Sequence, residues 1–222
     1  MKLLRLVKCK FDNTDSLSKV LDFEQSIFPK LATLNDGTEG GYPLIQFKWQ
    51  EYRGEFSPLI LCVEDGIEQA FPIFDSLNNS SHTNLQDISI YKRVLQIWQE
   101  MFCYELHNWE AFYQIDYANF SQVIDFDKNK HNLESLLLEH IKAFLIAVGH
   151  NDFANIKVKI KLLKKITWNR VGERTNIGFS ISFETNVSLP DWLSLGYGAA
   201  RGTGIVLSRQ KANLEKIFPK TS

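Results

Sequence analysis

The sequence predicts an α+β protein of two units, the first running strand, helix, strand, strand, helix, strand and the second a less clean version of the same order. Three observations carry this. Across residues 1–105, period-two alternation and helical spacing follow one another in that order. Residues 106–222 hold a long amphipathic helix and then strongly alternating strands, in a less clean order. The chain's 222 residues, 44% hydrophobic and 23% charged, suffice for one domain or two small ones with a sizeable core.

LLRLVKCKF, residues 3–11, is the first strand, with Leu4, Leu6 and Lys8 on one face and Leu3, Arg5, Val7 and Cys9 on the other. Asp12, Asn13, Thr14 and Asp15 make a turn rich in N-cap groups, and Leu17, Val20, Leu21, Glu24 and Phe28 then lie close to helical spacing as far as Pro29. KLATLNDGTEGG is a loop. YPLIQFKWQEY, residues 42–52, and SPLILCVED are strands joined by RGEF as a hairpin. GIEQAFPIFDSL is a short helix entering at Gly66 and disturbed by Pro72. After the polar loop NNSSHTN, the chain is extended to about Gln96. This is the ferredoxin-like order, a split βαβ unit, and the first domain is expected over residues 1–105 and the second over 106–222.

In the second half, Trp109, Phe112, Tyr113, Tyr117 and Phe120 form an aromatic group that either stacks bases or packs between the two units, and packing is the favoured reading. Residues 133–150, LESLLLEHIKAFLIAVGH, are the clearest helix: Leu133, Leu136, Leu137, His140, Ile141, Phe144 and Val148 share a face, and Gly149 supplies a stop. His140, beside that stripe, reads as a buried, hydrogen-bonded histidine rather than a ligand. In NIKVKIKLLKKITWNR, Lys157, Lys159 and Lys161 alternate with Val158, Ile160 and Leu162, which puts three ammonium groups on one sheet face; Lys164, Lys165, Arg170 and Arg174 continue the charge. IGFSISFET and GIVLSRQ are the remaining strands, the former with Ile177, Phe179, Ile181 and Phe183 on one face.

Charge is distributed unevenly. Residues 151–222 carry 12 Lys and Arg against 5 Asp and Glu, net +7, and the first 150 carry 13 against 21, net −8. Either the basic part meets a polyanion or the two parts attract each other, and the polyanion is the favoured reading. The three cysteines are far apart with no Cys-x-x-Cys pair, which excludes a zinc ribbon or thioredoxin motif and fits reduced, mostly buried thiols. No His/Cys/Asp/Glu cluster has ligand spacing, so neither a metal nor another cofactor is expected. The opening MKLLRLVKCKF carries basic residues inside its apolar run and reads as a strand rather than a signal peptide, and no run spans a membrane; a cytoplasmic location with no membrane partner is expected.

LGYGAARGTGIVL sets Gly196, Gly198, Gly202 and Gly204 around Arg201. Glycines there permit close approach to a phosphate, with Arg201 as a bidentate donor, or make a tight turn. A strand follows, so this is no dinucleotide fingerprint, and no Gly-Lys-Ser/Thr marks a Walker loop.

The ferredoxin-like start, the lysine-faced strand and GYGAARGTGIV together resemble the CRISPR-associated repeat-RNA-processing endoribonucleases, the Cas-six family, and YPLIQFKW is similar to a segment of its Cas-six-b-like branch. The resemblance implies two tandem ferredoxin-like (RRM-like, βαββαβ) domains. It also implies metal-independent cutting of precursor CRISPR RNA by attack of a 2′-hydroxyl on the adjacent phosphate, giving a 2′,3′-cyclic phosphate. The partners it implies are a CRISPR repeat stem-loop RNA and other CRISPR effector subunits, with the product retained. Tyr42 matches the family's tyrosine and, with Lys30, is the catalytic candidate. Lys157, Lys159, Lys161, Lys164, Lys165, Arg170, Arg174, Gly196, Gly198, Arg201, Gly202 and Gly204 are the RNA-binding candidates. The branch carries a histidine in the loop before the tyrosine, and KLATLNDGTEGGY has none. Three accounts follow: Lys30 and Tyr42 suffice, a histidine such as His82, His107 or His131 reaches in, or the chain binds RNA without cutting it. A ferredoxin-like protein holding a small anion at the glycine loop is the remaining alternative.

Overall fold

The computed structural model describes residues 2–11, 27–30, 41–52, 55–78, 85–112, 125–171 and 174–209. Within them the chain forms two four-stranded antiparallel sheets. The first contains β1 (Lys2–Phe11), β2 (Ile45–Tyr52), β3 (Glu55–Val63) and β4 (Leu85–Leu95) in the order β2-β3-β1-β4, with helix α1 (Gly66–Asn78) between β3 and β4. The second contains β5 (Ile97–Glu110), β6 (Val158–Val171), β7 (Arg174–Val187) and β8 (Ile205–Ser208) in the order β6-β7-β5-β8, with helix α2 (Phe126–Ala147) between β5 and β6. Counted from its own first strand, each sheet reads 2-3-1-4, the ferredoxin-like order expected from the sequence. In the second sheet a loop with one 3-10 turn, Ala199–Arg201, stands where the second helix of such a unit would be.

The division expected at 105/106 falls inside β5. That strand pairs with β7 from Ile97 to Glu110, so the chain passes from one sheet to the other at Gln96. Only this residue separates β4 from β5, which is why the two read as one extended run.

Both faces of β1 are used. Val7, Cys9 and Phe11 join Ile45, Phe47, Ile60 and Cys62 under Ala70 and Phe74 of α1. Leu4 and Leu6, on the other face, join Leu61 and Val63 in a larger core shared with α2 and the second sheet. That core includes Ile177, Phe179, Ile181 and Phe183 of β7, as their alternation predicts. Pro58 sits in β3 where the β1 pairing has ended, which begins only at Leu59, so its missing N–H costs no ladder bond to β1. α1 continues through Pro72 and forgoes one bond, to the Glu68 carbonyl.

α2 begins seven residues before the apolar stretch that marks it in the sequence. Asp125 caps it, accepting from Lys128 N at 3.3 Å and pairing with Lys128 Nζ at 2.7 Å. Its end is where Gly149 predicts: Gly149 has φ 70, and the N–H groups of Gly149 and His150 close on the carbonyls of Ile146 and Leu145, each at 2.8 Å. Cys9 and Cys62 are buried thiols and Cys103 is an exposed one. Among the described residues no helix is long and apolar enough to cross a membrane.

Candidate functional site

Gly41 (φ 66) and Pro43 interrupt the chain before β2, so the strand starts at Ile45 and Tyr42 turns inward. Its ring lies 5.3 Å from that of Phe144 on α2. Its hydroxyl donates to the Ser194 carbonyl at 2.7 Å and accepts from Gln46 Nε2 at 2.6 Å. Gln46 Oε1 in turn accepts from Ser194 N at 2.9 Å and from Lys48 Nζ at 3.1 Å, and Lys48 Nζ also meets Ser194 Oγ. All four residues are buried. Burial pushes the Tyr42 hydroxyl far above its usual pKa against the opposing Gln46 bond, and pulls the Lys48 amine well below its own. The arrangement keeps the phenol protonated and favours a neutral amine. The hydroxyl of Tyr42, a catalytic candidate from sequence, is thus committed to Ser194 and Gln46 and faces the junction of the two sheets, not solvent.

The glycine-rich loop closes on this seam. Gly202 has φ 86 and lies on the β2 backbone, where a Cβ would stand 2.5 Å from the Phe47 carbonyl oxygen. Gly196, φ 94, lies on the end of β5, where a Cβ would meet the Glu110 carbonyl and Trp109 Cδ1 at 2.7 Å each. Gly198 faces Thr203 and the Glu110 carboxylate, and Gly204 faces the Leu195 carbonyl. At all four glycines, the room a side chain would need is filled by the protein itself, which favours the turn reading over close approach to a phosphate.

Glu110, fully buried at the end of β5, ties the loop to the sheet. Arg201 Nη2 (3.0 Å) and Asn176 Nδ2 (2.8 Å) donate to its Oε2, and Asn169 Nδ2 (3.0 Å) to its Oε1. Arg201 is therefore already paired, though its side chain keeps 30% exposure. On the opposite side of the loop, Trp109 Nε1 donates to His140 Nδ1 at 3.1 Å, and the imidazole meets the Tyr197 ring edge-on at 5.2 Å. Burial lowers His140 to a pKa of about 4. A neutral imidazole that accepts at Nδ1 carries its proton on Nε2 and has no lone pair left for a substrate. His140 is hydrogen-bonded as expected but half-buried rather than buried, and it supports Tyr197, which stands exposed at the loop.

The lysine face of β6 is broken by two bulges, between Ile160 and Leu162 and between Leu163 and Lys165. The first turns Leu162 to solvent, 55% exposed, where strict alternation would bury it, and Leu163 takes the inward place. The bulged residues Lys161 and Lys164 reach acidic partners, Glu184 at 3.2 Å and the buried Glu105 at 2.7 Å. Lys157, Lys159 and Lys165 are exposed and form no ion pair among the described residues. Arg170 and Arg174 belong to the ends of β6 and β7, with side chains outside the described residues.

Lys30 is exposed on the helical turn 27–30, and the loop 31–40 lies outside the described residues. Of the histidines proposed to stand in for the missing one, His82 also lies outside them. His131 is exposed on α2. His107 is half-buried on β5, its pKa lowered by burial, with Glu105 opposing and Lys164 adding. The structure brings Tyr42 to the glycine loop and sets the β6 lysines along a different strand. Sequence reasoning missed Glu110, Lys48 and Ser194; a carboxylate inside the apolar run around Trp109 and a lysine inside YPLIQFKW were the available signals. Among the described residues no three His, Cys, Asp or Glu converge as metal ligands.

Solved structures share this architecture. A CRISPR RNA processing endoribonuclease Cas6b aligns over 92% of this chain and 99% of its own, with TM-score 0.68 and 20% identity. A second Cas6b aligns over 93% and 100%, at 0.66 and 21%. A RAMP protein binding different RNA substrates aligns over 92% and 99%, at 0.52 and 14%. At such identities the likeness establishes the fold. No curated protein matches the chain. The Cas6b C-terminal domain family, however, matches residues 96–209, more than half of the sequence, a span holding β5, the lysine strand and the glycine-rich loop. The chain belongs to the Cas6b family.

Proposed function

We propose that this protein binds CRISPR repeat RNA and cuts it as a metal-independent endoribonuclease that then retains its product for other CRISPR effector subunits. The observation that carries the reading is the glycine loop, fixed between the two sheets and presenting Tyr197, together with the exposed Lys157, Lys159 and Lys165 on a strand of the same unit. Those lysines, with Arg170, Arg174 and the open part of Arg201, meet phosphates, and a paired stem is read by shape and backbone. In the reaction the 2′-oxygen bonds to the adjacent phosphorus and the bond to the 5′-oxygen breaks. The 2′-hydroxyl proton is lost and the 5′-oxygen gains one, so a 2′,3′-cyclic phosphate and a 5′-hydroxyl form without any co-reactant. Lys30, on the helical turn 27–30, supplies positive charge to the phosphorane. Tyr42 holds the seam between the two sheets through Ser194 and Phe144 rather than moving a proton.

A second reading, retention of RNA without cutting, is favoured by the committed Tyr42 hydroxyl and the occupied His140 lone pair. Mass analysis of repeat RNA after incubation in EDTA separates the two. A fragment ending in a 2′,3′-cyclic phosphate supports the nuclease. Intact RNA, still bound, supports retention alone.

A further inference from the structure

At the end of the second sheet remote from the glycine loop, an open cavity of about 590 Å³ lies between the start of β5, the α2–β6 connection and the end of β7. It is preformed. The buried Asn186 staples its three walls: its Nδ2 donates to the carbonyls of Trp98 (3.0 Å) and Asn155 (2.8 Å), and its Oδ1 accepts from Lys157 N (2.8 Å). Trp98, 44% exposed, lines the cavity, its ring braced edge-on by Phe102 at 6.2 Å. Gln99, Asn155 and Lys157 also line it, all exposed, and their side chains make no hydrogen bond or ion pair among the described residues. Asp152 completes the wall, one carboxylate oxygen accepting from Ala154 N at 3.3 Å.

A braced, exposed indole beside two amides, a carboxylate and an ammonium matches the parts of a nucleotide. The base has a π-face for Trp98 and edge donors and acceptors for Gln99, Asn155 and Asp152; its phosphate suits Lys157 and not the carboxylate. Lys157 also begins the row that continues through Lys159 to Lys165. From Lys157 to Asn169, which hydrogen-bonds Glu110 under the glycine loop, is roughly 35 Å of strand at about 3.3 Å per residue, shortened by two bulges.

We infer that this cavity takes one unpaired nucleotide of an RNA whose paired part lies along β6, with the base stacked on Trp98. This rests on the RNA-binding reading above. The test measures anisotropy of two labelled RNAs, a hairpin with an unpaired loop and the same stem as a blunt duplex. Trp98→Ala should weaken hairpin binding about 5- to 100-fold, leave the duplex unchanged, and be largely rescued by Trp98→Phe, which keeps a stacking ring and controls for folding. Lys159→Glu should weaken both RNAs. If Lys159→Glu weakens both but Trp98→Ala affects neither, or both equally, the cavity assignment is overturned while RNA binding stands. If Lys159→Glu changes neither, the RNA-binding reading fails and takes this inference with it. Quenching of Trp98 by a mononucleotide alone as strongly as by the hairpin would overturn the inference in favour of a free nucleotide.

Discussion

Gly202 offers the sharpest perturbation of the seam between the two sequence motifs. An alanine there must adopt φ 86, a left-handed conformation costing about 1 kcal/mol for a residue with a Cβ. Its Cβ would also stand 2.5 Å from the Phe47 carbonyl oxygen, about half an ångström inside the closest approach real Cβ atoms make. β2 cannot yield, since Phe47 and Lys48 are fully buried and paired to Ile60 and Leu59 of β3. The loop must lift instead, and overpacking of this kind costs about 1–3 kcal/mol. Gly202→Ala should therefore destabilise by about 2–4 kcal/mol, a fall of roughly 5–15 °C in Tm for a chain of this size. Gly41→Ala is the control: its φ is 66, but nothing lies within 4 Å of the added Cβ, so only the backbone cost of about 1 kcal/mol applies. Thermal melts of both variants read the difference directly. Equal shifts, or an unchanged Gly202→Ala melt with lost RNA binding, would refute the seam and return this glycine to phosphate contact.

Three further outcomes follow from the site. Lys159→Gln and Lys165→Gln should each lower the slope of log binding constant against log salt by about one, whereas Lys161→Gln and Lys164→Gln, already paired to Glu184 and Glu105, should lower it less; a titration series measures this. His140 has a folded pKa of about 4, below its ordinary value near 6.5, so its contribution is fully present above that value and is lost as pH falls from 6.5 towards 4. That is about 3 kcal/mol at most, visible in denaturant unfolding at pH 7.5, 5.5 and 4, and weakened in His140→Gln. Glu110→Ala strands Arg201, Asn169 and Asn176 and should cost about 3–5 kcal/mol, with exposure of the glycine loop to proteolysis as a second readout.

The fold was legible where the chain follows simple periods. The β7 alternation of Ile177, Phe179, Ile181 and Phe183, the stripe of α2 and the stop at Gly149 each map onto one local rule. Legibility failed where a local rule was overridden. The β6 bulges moved Leu162 outward and brought Lys161 to a carboxylate on β7 and Lys164 to one a strand further away on β5, and pairing of that kind is not written in one strand's spacing. The start of α2 was hidden because its first turns are polar and rest on the Asp125 cap. Most of all, the sequence showed YPLIQFKW and the glycine loop as two motifs about 150 residues apart. Only the fold makes them one feature, in which Tyr42, Gln46 and Lys48 hold Ser194 while Gly202 rests on Phe47. Residue types suited to phosphate chemistry are there spent largely on joining two sheets.

The most direct measurement of the central claim is a cleavage gel. Repeat RNA from the organism's own CRISPR array is incubated with the protein in EDTA, beside copies carrying a single 2′-deoxy substitution at each candidate position. The account predicts cleavage at one bond, abolished by one deoxy substitution alone and strongly slowed by Lys30→Ala. RNA that stays intact in every lane, or cleavage indifferent to every 2′-hydroxyl, would contradict it.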